Sequence, residues 1–429
     1  VPVVDIAGAL RGERIFVTGA TGFLGKVLVE KLLWSVPEVG RLLLLVRPDG
    51  DRTAAERVRE EVLGAPLMAR LRARHGEGWE AWAASRVEAV AGDLGSDRFG
   101  LAPAAWTDLC GRVDRVVASA ATVTFDERLD RAVELNARGA LRTLALAREA
   151  GGVPLVHVST CFVSGRQCGL VAEALPVLAP ATGGGSEAAS EVGGVSRTAP
   201  GRGGSARSPE VVGVSEASEV APEVGGVSEV GASEVGAVMA GLEGVCRAVW
   251  EAGGGEAAWV AAGAERAARH GFHDVYTLTK ALGELLVARD RGNVPVAIVR
   301  PAIVESAVEQ PIPGWLEAIR VVDPLLVAYG RGRTRVLPGA ADVPLELVPV
   351  DFVVHAMLAA LADLRRGPPA TGVRIYQVGS SRNPITLGEL VEHAREGFAA
   401  TPLRDEEGAP IAVPRARFMA PDRLRTRLA

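Results

Sequence analysis

Short runs of Val, Ile and Leu recur along the chain, at residues 14–18, 42–46, 87–91, 113–119, 155–159, 296–300 and 373–378. Each run has strand length and is mainly apolar, as expected for a strand buried on both faces. Between them the apolar positions spread to helical spacing, at 26–34, 130–150 and 275–290. This alternation predicts an α/β fold with a doubly wound parallel sheet, its ligands bound outside the carboxyl ends of the strands.

One stretch breaks the pattern. From 180 to 236 the chain recycles Ser, Glu, Val, Gly and Ala, and Glu191-Val192-Gly193-Gly194-Val195-Ser196 reappears at 223–228. The copies are irregularly spaced and carry no aromatic residue, so they do not read as a stacking repeat. They read as a mobile, low-complexity surface insertion, with helical pattern resuming over 238–269. The expected organisation is a first part of the nucleotide-binding core at 1–179 and the insertion at 180–236. The core then resumes at 237–305 and returns at 346–383, with a smaller substrate lobe built from 306–345 and 384–429.

Composition narrows the function classes. The 429 residues are 48% hydrophobic, enough for a sizeable core. A net charge of -5 and no basic stripe argue against a nucleic-acid partner; the arginines at 415, 417, 423, 425 and 427 read as a solvated tail. Cys110, Cys161, Cys168 and Cys246 show no paired spacing, which suits free thiols in a reducing compartment. His270 and His273 lack a third ligand nearby, so no metal is expected. No apolar run approaches the roughly 18 residues of a membrane span; the one at 294–304 is broken by Arg300 and Pro301. With no signal-like start, the chain reads as soluble and cytoplasmic. Beginning at Val1 rather than Met, it reads as a piece of a longer polypeptide.

Candidate chemistry sits at the expected strand ends. Thr18-Gly19-Ala20-Thr21-Gly22-Phe23-Leu24-Gly25-Lys26 follows the first strand and opens a helix. That order presents bare backbone N–H groups to a pyrophosphate, the nucleotide site of a Rossmann-like sheet. Gly19 permits the turn, Gly22 close backbone approach, and Gly25 close packing of helix on sheet. Phe23 and Leu24 belong to the turn as candidate cofactor contacts, and the hydroxyls of Thr18 and Thr21 either contact the ligand or cap the turn. At the end of the second strand stands Arg47, where an acidic residue would select NAD. A guanidinium there suits the 2′-phosphate of NADP, while Asp49 leaves NAD use open. Gly92-Asp93-Leu94 lies where an adenine edge would sit, and Asp93 equally suits a cap.

Tyr276 and Lys280 are four apart, on one helix face. A cation held near a phenol is expected to lower its pKa, turning a sluggish acid into a useful one. A hydroxyl near the end of a central strand completes such a site. Ser159 and Thr160 are the candidates, and strand alternation lets only one face the ligand; Thr160 is preferred.

Together these segments resemble the extended short-chain dehydrogenase/reductases, and more closely the fatty acyl-CoA reductases of the bacterial alcohol-forming branch. The likeness is carried by TGATGFLGK at 18–26, HVSTCFVSG at 157–165, DVYTLTKALGE at 274–284 and VRPAIVES at 299–306, continuing into QPIPGW at 310–315. It implies reduction of a long-chain acyl thioester by NADPH, with Thr160, Tyr276 and Lys280 as the catalytic set and Asn136 helping to complete the site. Pro301 and Ile303 match backbone contacts to the nicotinamide amide. The thioester partner is acyl-CoA or, alternatively, an acyl carrier protein; a non-catalytic NADP sensor is the competing class. The acyl chain is expected against the smaller lobe, near Trp315, Leu316, Ile319, Leu325, Leu326 and Val327. Two positions depart from the pattern: Ala118 stands where relatives often carry histidine, and Cys161 where a small alanine is usual.

Overall fold

The structure, a computed structural model, describes residues 4–178, 224–225, 229–317, 322–364 and 372–420, with 423 and 426. Seven strands run parallel: β1 (Arg14–Thr18), β2 (Arg41–Val46), β3 (Val87–Ala91), β4 (Arg115–Ala118), β5 (Leu155–Val158), β6 (Val296–Pro301) and β7 (Gly372–Val378). Their order is β3-β2-β1-β4-β5-β6-β7. The chain leaves β1 in one direction and resumes at β4 on its other side, so the crevice between β1 and β4 is the switch point where such sheets bind ligands.

Alternation along β1 explains why the sheet is covered twice. Ile15 and Val17 enter one core with Leu28 and Leu32 of helix α1 (Phe23–Ser35). Phe16 enters the opposite core with Leu144 of helix α2 (Gly139–Glu149). A third cluster forms where helices α3 (Glu229–Glu251) and α4 (Glu256–Arg269) pack over α5 (Val275–Asp290). Helix α6 (Val350–Asp363) closes the first core through Val353, Val354 and Leu358.

The expectation for 180–236 falls largely outside the described residues. Within them, Val224–Gly225 pairs antiparallel with Gly372–Val373 at the edge of β7. Helix α3 begins at Glu229, earlier than the resumption near 238 expected from apolar spacing. Among the described residues no helix is long and apolar enough to cross a membrane.

The C-terminal lobe has its own small core of Tyr329, Leu337 and Val391, joined by Leu325, Leu326 and Phe418. Helix α7 (Leu387–Ala400) supplies Val391 and starts with a reciprocal Thr386–Glu389 cap. Trp315 and Leu316 instead pack against the main core. Four of the residues expected to line an acyl site are thus partners in packing, because apolar content alone cannot tell a tunnel from a core. Ile319 lies outside the described residues.

Candidate active site

The glycine turn is a cradle that side chains would fill. Gly19 has φ +78°, and a Cβ there would stand 2.8 Å from the Ala120 backbone nitrogen. A Cβ on Gly25 would stand 2.0 Å from the Gly19 carbonyl oxygen, so only glycine lets α1 approach the turn this closely. Gly22 is the N-cap of α1 and offers no side-chain cap, leaving the helix start to backbone N–H groups. Phe23 is buried, while Leu24 and Thr21 are half-buried beside the turn. This geometry fits a dinucleotide pyrophosphate.

Two expected contact residues turn inward. The Thr18 hydroxyl is fully buried and accepts hydrogen bonds from the amides of Ser119 and Ala120, at 3.1 and 3.0 Å. It ties β1 to the end of β4 and so shapes the crevice. Leu94 is buried against Gly139 in the second core. Arg47 follows β2 and remains exposed, its guanidinium 3.5 Å from the Asp93 carboxylate. The other Asp93 oxygen accepts from the Gly95 amide at 2.8 Å, the capping alternative open in the sequence.

Asp274 caps α5 by accepting from the Thr277 amide at 2.8 Å, which places Tyr276 in the first turn and Lys280 one turn on. Thr160 follows β5 in extended conformation. Its hydroxyl stands beside the Tyr276 phenol, close enough to favour the phenolate, donates to the Pro301 carbonyl at 3.4 Å, and accepts from the Phe162 amide at 3.3 Å. Ser159 is also buried; its amide donates to Val299, extending the ladder, but its hydroxyl has no hydrogen-bond partner among the described residues. The structure therefore brings Thr160, Tyr276 and the end of β6 together, with an orphaned Ser159 hydroxyl adjacent in sequence. Pro301 closes β6, and the Ile303 amide is already engaged with the Glu346 carbonyl at 3.0 Å.

Lys280 does not act on the phenol as the spacing suggests. Its ammonium donates to the Val158 carbonyl at 2.6 Å, and burial pulls its pKa down to about 8 against the opposing pull of Glu284. Burial likewise pushes Tyr276 up to about 12, only partly countered by the Thr160 hydroxyl. Desolvation outweighs the expected cationic effect because the lysine is spent on the strand. Beside it, burial and the lysine charge hold His157 well below the usual histidine range, so the ring is neutral.

Asn136 lies on a single wide π-turn (Val133–Arg138) interrupting the helix expected over 130–150. Its amide donates to Thr279 on α5 and to the Thr122 carbonyl, both at 3.1 Å, and accepts from the Thr122 amide at 3.0 Å. It joins the tyrosine helix to the loop after β4.

An ion pair unforeseen in the sequence anchors this half. Arg300 of β6 and Glu284 of α5 form a bidentate pair at 2.9 and 2.5 Å, with both residues buried. Arg300 also donates to the Ala174 carbonyl at 2.7 Å. A lone arginine in an otherwise apolar strand was the available signal, since such a charge requires a partner. Cys161 donates its thiol to the Arg300 carbonyl at 3.0 Å, and burial raises its pKa to about 11, leaving an inert thiol. The loop carrying QPIPGW is tied down in turn. Asp351, at the start of α6, accepts from the amides of Val308, Glu309 and Gln310, and Lys26 of α1 pairs with Glu317.

A cavity of about 310 Å³ opens at the opposite end of the sheet, where Arg41 and Arg112 share Glu88. It holds none of this chemistry. Among the described residues no group of His, Cys, Asp and Glu could hold a metal.

The NAD-binding family described as male sterility protein matches residues 17–357. The chain is 32% identical to fatty acyl-CoA reductase 1 of Arabidopsis thaliana over 419 residues, covering 96% of this chain and 75% of that one. It is also 32% identical to the alcohol-forming fatty acyl-CoA reductase of Simmondsia chinensis over 415 residues, 95% and 75% of the two chains. In fold it is similar to the terminal R domain of the myxalamid biosynthetic pathway, with a TM-score of 0.55 at 21% identity, covering all of this chain and 79% of that one. The family match over residues 17–357, with identity of this degree over nearly the whole chain, places it in the fatty acyl-CoA reductase family, as an enzyme of the extended short-chain dehydrogenase/reductase type.

Proposed function

We propose that the protein reduces long-chain fatty acyl-CoA with NADPH, first to the aldehyde and then to the primary alcohol. The observation that carries this is the placement of the Thr160 hydroxyl beside the Tyr276 phenol at the end of β6, with Lys280 one helix turn away. The nicotinamide supplies hydride; the residues handle the oxygen. Thr160 and Tyr276 donate to the thioester carbonyl and stabilise the negative charge that develops there. Tyr276, kept protonated by burial, hands its proton to that oxygen. As the C–S bond breaks, the hemithioacetal hydroxyl returns its proton to Tyr276, so that CoA thiolate leaves and an aldehyde remains; reduction with a second equivalent of NADPH and the Tyr276 proton gives the alcohol. Lys280 gives one N–H to the Val158 carbonyl and would offer a remaining one to the cofactor ribose. The turn from Gly19 to Gly25 would hold the pyrophosphate, Arg47 the 2′-phosphate, and the backbone at Pro301 and Ile303 the amide edge.

The names of the matched relatives favour CoA over a carrier protein, and the RPAIVES–QPIPGW stretch supports the bacterial alcohol-forming branch. Four cysteines free of disulfides suit a cytoplasmic enzyme. Incubation with NADPH and hexadecanoyl-CoA is expected to yield hexadecanol and free thiol, followed by absorbance and chromatography. Thiol with aldehyde alone would limit the reaction to its first step. Turnover only with acyl carrier protein would replace the CoA reading, and tight NADPH binding with no turnover of any thioester would favour a sensor. For the cofactor, Arg47→Ala is expected to cut the preference for NADPH over NADH by about tenfold, read as the ratio of kcat/KM values.

A further inference from the structure

The carbonyl held by Thr160 and Tyr276 carries two unlike substituents, and the surface around the pair distinguishes them. The ring of Phe125 packs on Tyr276, centroids 5.9 Å apart and tilted by 59°. More than half of Phe125 nevertheless remains exposed, at 55%. Val123, two residues earlier on the same loop, is equally exposed, and Phe162, whose amide bonds the Thr160 hydroxyl, is 41% exposed. Single exposed apolar side chains are ordinary. Phe125 is set apart by its contact with one of the two hydroxyl-bearing residues, and its exposed face is an apolar surface that a CoA moiety, polar and polyanionic, would not cover. An acyl chain would.

The loop is also built to hold that ring still. Thr122 is clamped through both its amide and its carbonyl by Asn136. Its hydroxyl closes on Glu127 at 2.8 Å, and Glu127 in turn caps the Arg128 amide at 3.0 Å. Phe125 therefore stands in a short loop pinned at both ends, and the same asparagine grips α5 through Thr279. A ring fixed in advance loses little freedom when an apolar chain lies on it.

We propose that Phe125 is the specificity-determining residue for the acyl group, receiving the methylenes next to the thioester carbonyl. This rests on the acyl-thioester reading and adds to it where the chain runs: first over the loop after β4, rather than over the residues that build the core of the C-terminal lobe. It also gives Asn136 a second task, that of positioning residue for the acyl platform.

The test compares hexadecanoyl-CoA with acetyl-CoA, whose acyl group has no methylene to lay on the ring. In the wild-type enzyme, Phe125→Ala and Phe125→Tyr, kcat/KM is measured for both substrates, and calorimetry gives the affinity for each. NADPH titration and circular dichroism check that the variants are folded. Removing the ring is expected to lower the long-to-short ratio by about tenfold, the worth of two or so buried methylenes, in both kcat/KM and affinity. Phe125→Tyr, whose hydroxyl would point to solvent, is expected to keep the ratio within about twofold of wild type. An unchanged ratio in Phe125→Ala overturns the proposal. So does an equal loss for both substrates, which would make the ring only a prop for Tyr276. A wild-type enzyme that binds NADPH yet reduces neither thioester overturns the proposed function and this inference together, whereas the first two results leave the function standing.

Discussion

The two halves of the sheet make their parts of the site from different materials. Around β1, β2 and the start of α1 the site is backbone: a glycine turn, a helix start without a side-chain cap, and a threonine hydroxyl holding two amides. Around β5, β6 and α5 it is side chains: a phenol on a hydroxyl, an ammonium on a carbonyl, and a buried carboxylate–guanidinium pair. A backbone site fails when atoms are added, because there is no room for them. A side-chain site fails when atoms or charges are removed, because something buried is left without a partner. Substitutions in the two halves should therefore damage different quantities.

The largest effect is expected from Tyr276→Phe, which removes one oxygen and the proton it carries. Turnover should fall by about a thousandfold, while NADPH affinity in a fluorescence titration stays within about twofold of wild type. Retained turnover would take the phenol out of the mechanism and erase the contrast between halves. Next comes Glu284→Gln, which strands the Arg300 charge in the interior. Breaking such a pair costs about 3–5 kcal/mol, measurable by denaturant unfolding. Replacing both partners with methionine should recover most of that loss. If the single variant unfolds like wild type, the pair is not what anchors this half.

Gly25→Ala tests the other material. Its Cβ would have to sit 2.0 Å from the Gly19 oxygen, so turn and helix must part. NADPH affinity is expected to drop by about 10- to 100-fold, with a smaller change in kcat at saturating cofactor, the reverse of Tyr276→Phe. The finest test is pH. Lys280 is charged below its pKa of about 8 and neutral above it, whereas Tyr276, pushed up to about 12, remains a proton donor throughout. If the ammonium is required, kcat/KM should be flat below about pH 8 and decline as pH rises through it. Glu284 favours the charged lysine, so in Glu284→Gln the decline should begin at lower pH. A profile that breaks only above pH 10 would assign the titration elsewhere.

The contrast between halves also explains what could be read in advance. β1 and β3 have the bounds that apolar runs suggest, as does α5, whose start is written in Asp274 and whose end precedes Gly292. Glycine spacing announces a backbone site because glycine is the only residue that permits it. Side-chain sites announce themselves less. Thr160 and Tyr276 lie far apart in sequence, and only the fold shows that their hydroxyls come together while the Ser159 hydroxyl remains orphaned. The π-turn under Asn136 has no periodic signature, since one extra residue per turn disappears within a long helical pattern. Lys280 could be located but not its partner: the carbonyl it chooses belongs to the backbone of β5, which no sequence pattern encodes. The start of α3 at Glu229 is hidden for a different reason, because its opening turns are rich in Gly and Val, which have low helix propensity, and tertiary packing decides.

The Glu284–Arg300 bond has a consequence for how this chain can change over time. Either substitution alone strands a charge, so intermediates on the way to a different pairing are selected against, and the two codons are expected to vary together or not at all. Random mutagenesis with a folding screen should recover double replacements at 284 and 300 far more often than the product of the two single frequencies.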